Sequence, residues 1–263
     1  MTGCEPIHPT ATPTPTPTPT LAPVILPTET QSLDTGWLLS RPGLERRTLN
    51  IIDDKNQWVE SLHIFRLDTN QYRFDVAYHR TPQTLRDWRA ETNALMVVNG
   101  GYFRIENNEY IPNGLTIVNG EVIGSSYGDF AGMLAITREG PELRWLAQES
   151  YDPNEELLAA LQSFPILVKP GGELGIPQQN EDYQKASRTV IGQDKDGQIL
   201  FMIAPQGYFT LHQLSVYLTE SDLELDMAVN LDGGPSSGIL VSNPPEEISG
   251  QALLPVVIVV YEH

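Results

Sequence analysis

The chain has 263 residues, enough for one large domain, and its 40 % hydrophobic and 8 % aromatic content supplies a core despite 21 prolines and 21 glycines. Sixteen basic against 34 acidic residues leave a net charge of −18, which disfavours nucleic-acid partners and anionic membrane surfaces. A single cysteine, Cys4, excludes an internal disulfide and leaves the folded part without a thiol nucleophile or thiolate zinc ligand.

Residues 1–33 carry no Lys or Arg, and threonine alternates with proline from Thr12 to Pro19. Proline at every second position fixes φ and removes N–H donors, which predicts a disordered, extended tether. Met1-Thr2-Gly3-Cys4 resembles the end of a bacterial lipoprotein signal, with Cys4 as the acylated residue. The expectation is an extracytoplasmic, cell-surface domain that meets the membrane only through lipid on Cys4. A cytoplasmic protein with an incidental cysteine is the alternative. No stretch approaches the ~20 apolar residues that a spanning helix needs.

Residues 34–263 predict a single α+β domain with a mixed, largely antiparallel sheet and a few flanking helices. Residues 62–67 and 72–78 alternate with period two around Asp68-Thr69-Asn70-Gln71 and predict a hairpin. A helix is expected over 84–92, and a buried strand over 94–98 that runs into Asn99-Gly100-Gly101. Residues 34–92 are expected to extend the same sheet. Asn119-Gly120 supplies the two positive φ angles of a type I′ turn between 115–118 and 121–123. Strands are expected over 133–137, 143–146 and 166–169. Asp152, Pro153, Glu155 and Glu156 read as the start of a helix that reaches Gln162. A second hairpin joins 189–193 to 198–204, Thr210 caps a helix over 211–219, and the strand 227–231 ends in Asp232-Gly233-Gly234.

Two segments share one design: Asn99-Gly100-Gly101-Tyr102-Phe103 and Asn230-Leu231-Asp232-Gly233-Gly234-Pro235-Ser236-Ser237. Glycines after a strand let the backbone turn sharply and bring bare N–H groups to a ligand, while the preceding Asn or Asp is held by the strand. Each also reads as an ordinary turn, with Asp232 capping an N–H of its own loop. Arg188, at a strand entrance, is either a surface charge or a fork for phosphate or carboxylate. Gly124-Ser125-Ser126-Tyr127-Gly128 matches the nucleophile elbow of serine hydrolases, but loop and strand follow where that motif needs a helix. Only His212 or His263 could complete its triad. The five histidines show no ligand spacing, so no metal or cofactor is expected; a calcium on loop carbonyls stays open.

In chain order, Asn99-Gly100-Gly101-Tyr102-Phe103, Asn113-Gly114-Leu115, Phe164-Pro165-Ile166-Leu167-Val168, Arg188-Thr189-Val190-Ile191-Gly192 and the Asn230 to Ser237 segment resemble the phosphodiester glycosidase family. The resemblance runs from about residue 93 to the C-terminus, and Pro235 stands where the family commonly has a third glycine. It implies hydrolysis of a sugar-1-phosphodiester at the C1–O bond, with release of a phosphate monoester, on cell-envelope or extracellular glycans. It also implies a catalytic set of Asp232, Arg188 and Asn99. Arg188 would bind phosphate, Asp232 would act as nucleophile or base, and Asn99 and Asn230 would orient sugar hydroxyls. Gly100, Gly101, Tyr102, Asn113, Gly233, Gly234 and Ser236 would line the substrate, with Gly101, Gly233 and Gly234 as backbone donors. Glu106, Asp129, Glu173 and Asp182 are candidates for a second carboxylate. The alternative is a surface module that binds a glycan or phosphopolymer without cleaving it.

Overall fold

The computed structural model describes Met1 and residues 33–263; the threonine-proline tether and Cys4 lie outside the described residues. Three antiparallel sheets surround one core. The largest has the order Leu38–Arg41, Leu44–Ile52, Trp58–Leu67, Ile199–Ala204, Arg188–Asp194, Leu225–Asn230, Ile166–Lys169, Glu173–Leu174. A second holds Pro245–Ser249, Gly238–Ser242, Met96–Asn99, Leu254–Glu262 and Tyr72–Gln83. The third holds Pro141–Trp145, Gly132–Ile136, Ala159–Ser163, Thr116–Val118 and Glu121–Ile123, and Phe103–Glu106 pairs with Glu109–Pro112 as a separate ribbon.

Period-two alternation places one set of side chains inside all three sheets. Phe65, Phe201 and Val229 of the largest sheet meet Val98 and Ile258 of the second and Leu134 and Leu161 of the third. Helices close two of the outer faces. Leu214 and Leu218 of the helix Leu211–Thr219 cover the largest sheet. Leu85 and Trp88 of the helix Leu85–Thr92 cover Val97, Val257 and Val259 of the second. Both helices start as expected, capped by Thr84 and by Thr210, the latter in a capping box with Gln213. The outer face of the third sheet, with Met133, Ala135 and Ala160, is covered by Leu115, Leu146, Leu157 and the rings of Tyr127 and Tyr151.

The α+β expectation is corrected towards β, since the described residues hold two α-helices and their strand pairs are antiparallel. The hairpins at Asn119-Gly120 and 194–197 form as expected, with φ of 51° and 76° at Asn119 and Gly120. The expected hairpin of 62–67 with 72–78 does not. Asp68 turns the chain, but Trp58–Leu67 joins the largest sheet and Tyr72–Gln83 the second, so the two strands pack face to face through Phe65, Leu67, Phe74 and Val76. Residues 34–92 therefore feed two sheets instead of one. The helix expected from 152 to 162 is also overturned. Asp152 does collect the Asn154 N–H at 2.9 Å, but only as a turn, and Ala159–Ser163 becomes a wholly buried strand between Gly132–Ile136 and Thr116–Val118. Central burial on both faces outweighs a local helix-start signal.

Close approach of the third sheet to the largest depends on Gly132, where an added Cβ would lie 2.5 Å from a Val229 methyl and 2.8 Å from Ile166 Cδ1. Gly132→Ala is expected to destabilise the fold by about 1–3 kcal/mol in urea denaturation. Adding Val229→Ala should cost less than the sum of the two single changes, because it vacates the contested volume.

Candidate functional site

The segment 230–234 is stapled to two others remote in sequence. On one side the Asp232 N–H donates to the Gly100 carbonyl at 3.1 Å, and Asn99 Nδ2 donates to the Asp232 carbonyl at 2.8 Å. On the other, the Leu231 N–H donates to the Thr189 carbonyl and the Gly234 N–H to that of Ser187, both at 2.8 Å. The ends of Met96–Asn99 and Leu225–Asn230 and the start of Arg188–Asp194 thus converge, bringing Asn99, Arg188 and Asp232 into one neighbourhood.

Arg188 is 7 % exposed. Its Nη2 donates to the Gln184 carbonyl at 2.7 Å and its Nε to that of Phe209 at 3.4 Å; it forms no ion pair among the described residues. The loop behind it is held by Glu60, a fully buried carboxylate that accepts the N–H groups of Gln206 and Tyr208 at 3.0 and 3.1 Å. Burial pulls the Arg188 pKa down, opposed by Tyr102 and by the Asp182 and Glu181 carboxylates. Gly233 packs beside the guanidinium: a Cβ there would lie 2.9 Å from the Ser187 carbonyl and 3.9 Å from Arg188 Nη1.

Burial raises the Asp232 carboxyl above its ordinary 3.8, although the Ser236 hydroxyl and the Gly233 N–H both favour the anion. Tyr102 feels both charges. Its pKa is pushed up to about 12, first by burial and then by the Asp232 carboxylate, with Arg188 acting the other way. Asn230 Nδ2 donates to the Tyr102 hydroxyl at 2.8 Å, which leaves the phenolic proton free for a ligand. Asn113 supports the same residue by donating its backbone N–H to the Tyr102 carbonyl at 2.8 Å. The Asn113 side chain makes no hydrogen bond among the described residues.

Three expectations are corrected. Asn99 and Asn230 are wholly buried, so neither reaches a sugar hydroxyl. Asn99 bonds the Asp232 carbonyl and, through Oδ1, the Gly238 N–H, while Asn230 bonds Tyr102 and the carbonyls of Phe164 and Leu231. Both position the site from behind. The backbone cradle is also absent at Gly233 and Gly234, whose N–H groups are taken by Asp232 Oδ1 and by the Ser187 carbonyl. Gly101 keeps its N–H without an acceptor among the described residues, and Gly100 and Gly101 press against the Val256 and Gln162 carbonyls, where a Cβ would lie at 2.9 and 2.8 Å.

Of the second-carboxylate candidates, Asp182 acts on both Arg188 and Tyr102. Glu106 instead pairs with Arg104 at 3.1 Å, Glu173 sits opposite Lys169 on an edge strand, and Asp129 lines a separate cleft. The Gly124 to Gly128 segment is loop, and Ser126 Oγ accepts from Gln162 Nε2 at 3.1 Å with no histidine partner, so the elbow geometry is not formed. Among the described residues no cluster of His, Cys, Asp and Glu could hold a metal, and no helix is long and apolar enough to cross a membrane.

Sequence reasoning gave no role to the aromatic wall of the site. Tyr102 stacks on Phe164 at 4.7 Å between ring centroids, Phe164 meets Tyr127 edge-on at 4.9 Å, and Tyr127 meets Phe130 at 5.6 Å. Glu60 was missed as well; the strand Trp58–Leu67 also carries Ser61, His63 and Arg66, so one more polar residue there gave no signal.

A sequence profile described as phosphodiester glycosidase matches residues 92–261. The fold resembles the catalytic domain of zebrafish N-acetylglucosamine-1-phosphodiester alpha-N-acetylglucosaminidase, auto-inhibited by its pro-peptide. The TM-score is 0.65 at 17 % identity, covering 90 % of this chain and 86 % of that one. It also resembles a putative exported protein of Burkholderia pseudomallei (TM-score 0.58, 13 % identity, 77 % and 74 % covered). A hypothetical protein of Synechocystis is a further likeness (TM-score 0.56, 11 % identity, 84 % and 62 % covered). No curated protein sequence matches.

Asn99→Ala is expected to lower stability, by about 1–3 kcal/mol for each buried partner it orphans. Denaturant unfolding of the variant reads this directly, and an unchanged midpoint would refute the internal-strut assignment.

Proposed function

The chain belongs to the phosphodiester glycosidase family, and on that premise we propose that it hydrolyses a sugar-1-phosphodiester, breaking the C1–O bond to give the free sugar and a phosphate monoester. The observation that carries this reading is a buried guanidinium that forms no ion pair among the described residues, with the half-buried Asp232 carboxylate and the Tyr102 hydroxyl in the same neighbourhood. A buried cation without a direct ion pair is costly unless a ligand supplies one. A phosphodiester brings the anion, and the planar fork of Arg188 suits it.

In this reading Arg188 holds the phosphate, and its charge favours departure of that group with the C1–O electron pair. The Tyr102 phenol stays protonated at neutral pH and donates to a substrate oxygen. The Gly101 N–H is a second donor. Asp232 faces the positive charge that develops at C1. As a nucleophile it would form a glycosyl ester that water then hydrolyses, with retained configuration; as a base it would take a proton from water attacking C1, with inversion. Proton NMR of the sugar released at early times separates the two by its anomeric configuration. The resemblance to exported proteins and the Cys4 motif support action outside the cytoplasm, on envelope or extracellular glycans.

Incubation with sugar-1-phosphodiesters, nucleotide sugars included, should release free sugar. Binding without release would favour the non-catalytic glycan module. Asp232→Asn is expected to lower kcat/KM by about 10²-fold or more, and Arg188→Gln by about 10²–10³-fold. The pH profile has a definite sign. The active form is the carboxylate, and burial raises its pKa. Activity should therefore fall on acidification through a midpoint above 3.8, the ordinary aspartate value. A limb at or below that value would contradict the assignment.

A further inference from the structure

Two of the three sheets have a helix over their outer face, and the third has loops. A cleft of about 620 Å³ opens in that loop cover, floored by Leu115 and Leu146 and edged by Ser125, Ser126, Asp129 and Tyr151. No Lys or Arg lines it. Its volume falls within the range of about 300–1,000 Å³ usual for small-molecule sites.

The 124–130 loop that edges this cleft also reaches the candidate active site, through the ring of Tyr127 against Phe164. Tyr127 of that loop carries a buried hydroxyl without a partner, and its pKa is pushed up to about 12 by burial, with Tyr102 and the Asp232 carboxylate adding to the effect. From Tyr102 the rings of Phe164, Tyr127 and Phe130 continue outward in contact, ending at Phe130, which is 58 % exposed. The loop is fixed by the sheet beneath it. Gln162 accepts the Tyr127 N–H at 2.9 Å and donates to Ser126 Oγ at 3.1 Å, and a Cβ at Gly114 would lie 2.5 Å from the Tyr127 ring.

We propose that this cleft is a carbohydrate subsite that holds neutral sugar rings beyond the one whose C1–O bond is cut, so that the substrate class is a glycan chain rather than a single sugar phosphodiester. The direction of the chain rests on the glycosidase reading; binding in the cleft does not. A pyranose offers an apolar C–H face and a rim of hydroxyls, which calls for aromatic or aliphatic surface beside small donors and acceptors. Tyr151, Leu115 and Leu146 supply the first, and Ser125, Ser126 and Asp129 the second. The lack of a cation in the cleft, on a chain of net charge −18, excludes a polyphosphate backbone as the occupant.

The test uses the full chain carrying Asp232→Asn, which blocks turnover, and calorimetric titration with neutral homo-oligosaccharides of glucose, mannose and N-acetylglucosamine, one to six rings long. At least one series should bind more tightly as rings are added, levelling off when the cleft is full. Asp129→Ala and Ser125→Val should each weaken the longest member about tenfold or more, with thermal unfolding unchanged because both residues lie at the surface. Absence of binding in all three series overturns the proposal, as does affinity independent of length or unaltered in both variants. Chain-length-dependent binding without any phosphodiester cleavage by the unsubstituted protein would leave the subsite standing and remove the glycosidase reading alone.

Discussion

The pair of hydrogen bonds that Asn99 Nδ2 and the Gly100 carbonyl make to the backbone of Asp232 is the constraint on which the rest of the site depends. It ties the end of one strand of the second sheet to the end of a strand in the largest sheet. With the Thr189 and Ser187 carbonyls holding the other side, the loop has little freedom left. The consequence is chemical as well as structural. A loop whose N–H groups are used to fix itself cannot also offer them to an anion, so recognition of the proposed phosphate would pass to a side chain. Arg188 is the cation that the same staple brings alongside.

Arg188 and Asp232 would ordinarily neutralise each other, and here they do not. Tyr102 feels both charges, whereas neither charge is among the groups that shift the other. Carbonyl acceptors offset part of the Arg188 desolvation, and Ser236 and the Gly233 N–H offset part of that of Asp232. The remainder is held by the fold. Glu60 fixes the loop that carries the Phe209 carbonyl, and the Asn99 staple fixes the carboxylate, so collapse into an ion pair would require both supports to yield. Opposite charges kept apart in this way are consistent with a site for a third group.

What was legible in the sequence followed the range of the physics. Asn119-Gly120, the Thr210 cap and the 194–197 turn are settled by neighbours a few residues away, and all formed as read. The two glycine-turned strand ends were also visible, because a polar residue followed by a Gly pair after an apolar run is a local pattern. Pairing partners were not. Residues 62–67 and 72–78 carry the alternation of a hairpin, but the same alternation serves two strands stacked face to face. At 159–163 the helix-start residues upstream act locally, whereas burial between two strands from elsewhere in the chain decides the outcome. The roles of Asn99, Gly233 and Gly234 turned on where each N–H and amide finds its partner, which no spacing encodes. Tyr127 reaches the site only because Gln162, from a different strand, holds its loop.

The acidity of the chain appears at odds with an anionic substrate until distance is considered. At physiological ionic strength the Debye length is about 8 Å, so carboxylates spread over the surface contribute little at a given interior point. Arg188, screened from solvent and in no ion pair among the described residues, is the cation that would meet a single phosphodiester there. A polyanion is in a different position: its remaining phosphates must lie against the acidic exterior. On the proposed reading, the same charge distribution would admit one phosphate on an otherwise neutral molecule and disfavour a strand of nucleic acid, and the cleft lined by hydroxyls and rings, without cations, would take the rest of that substrate.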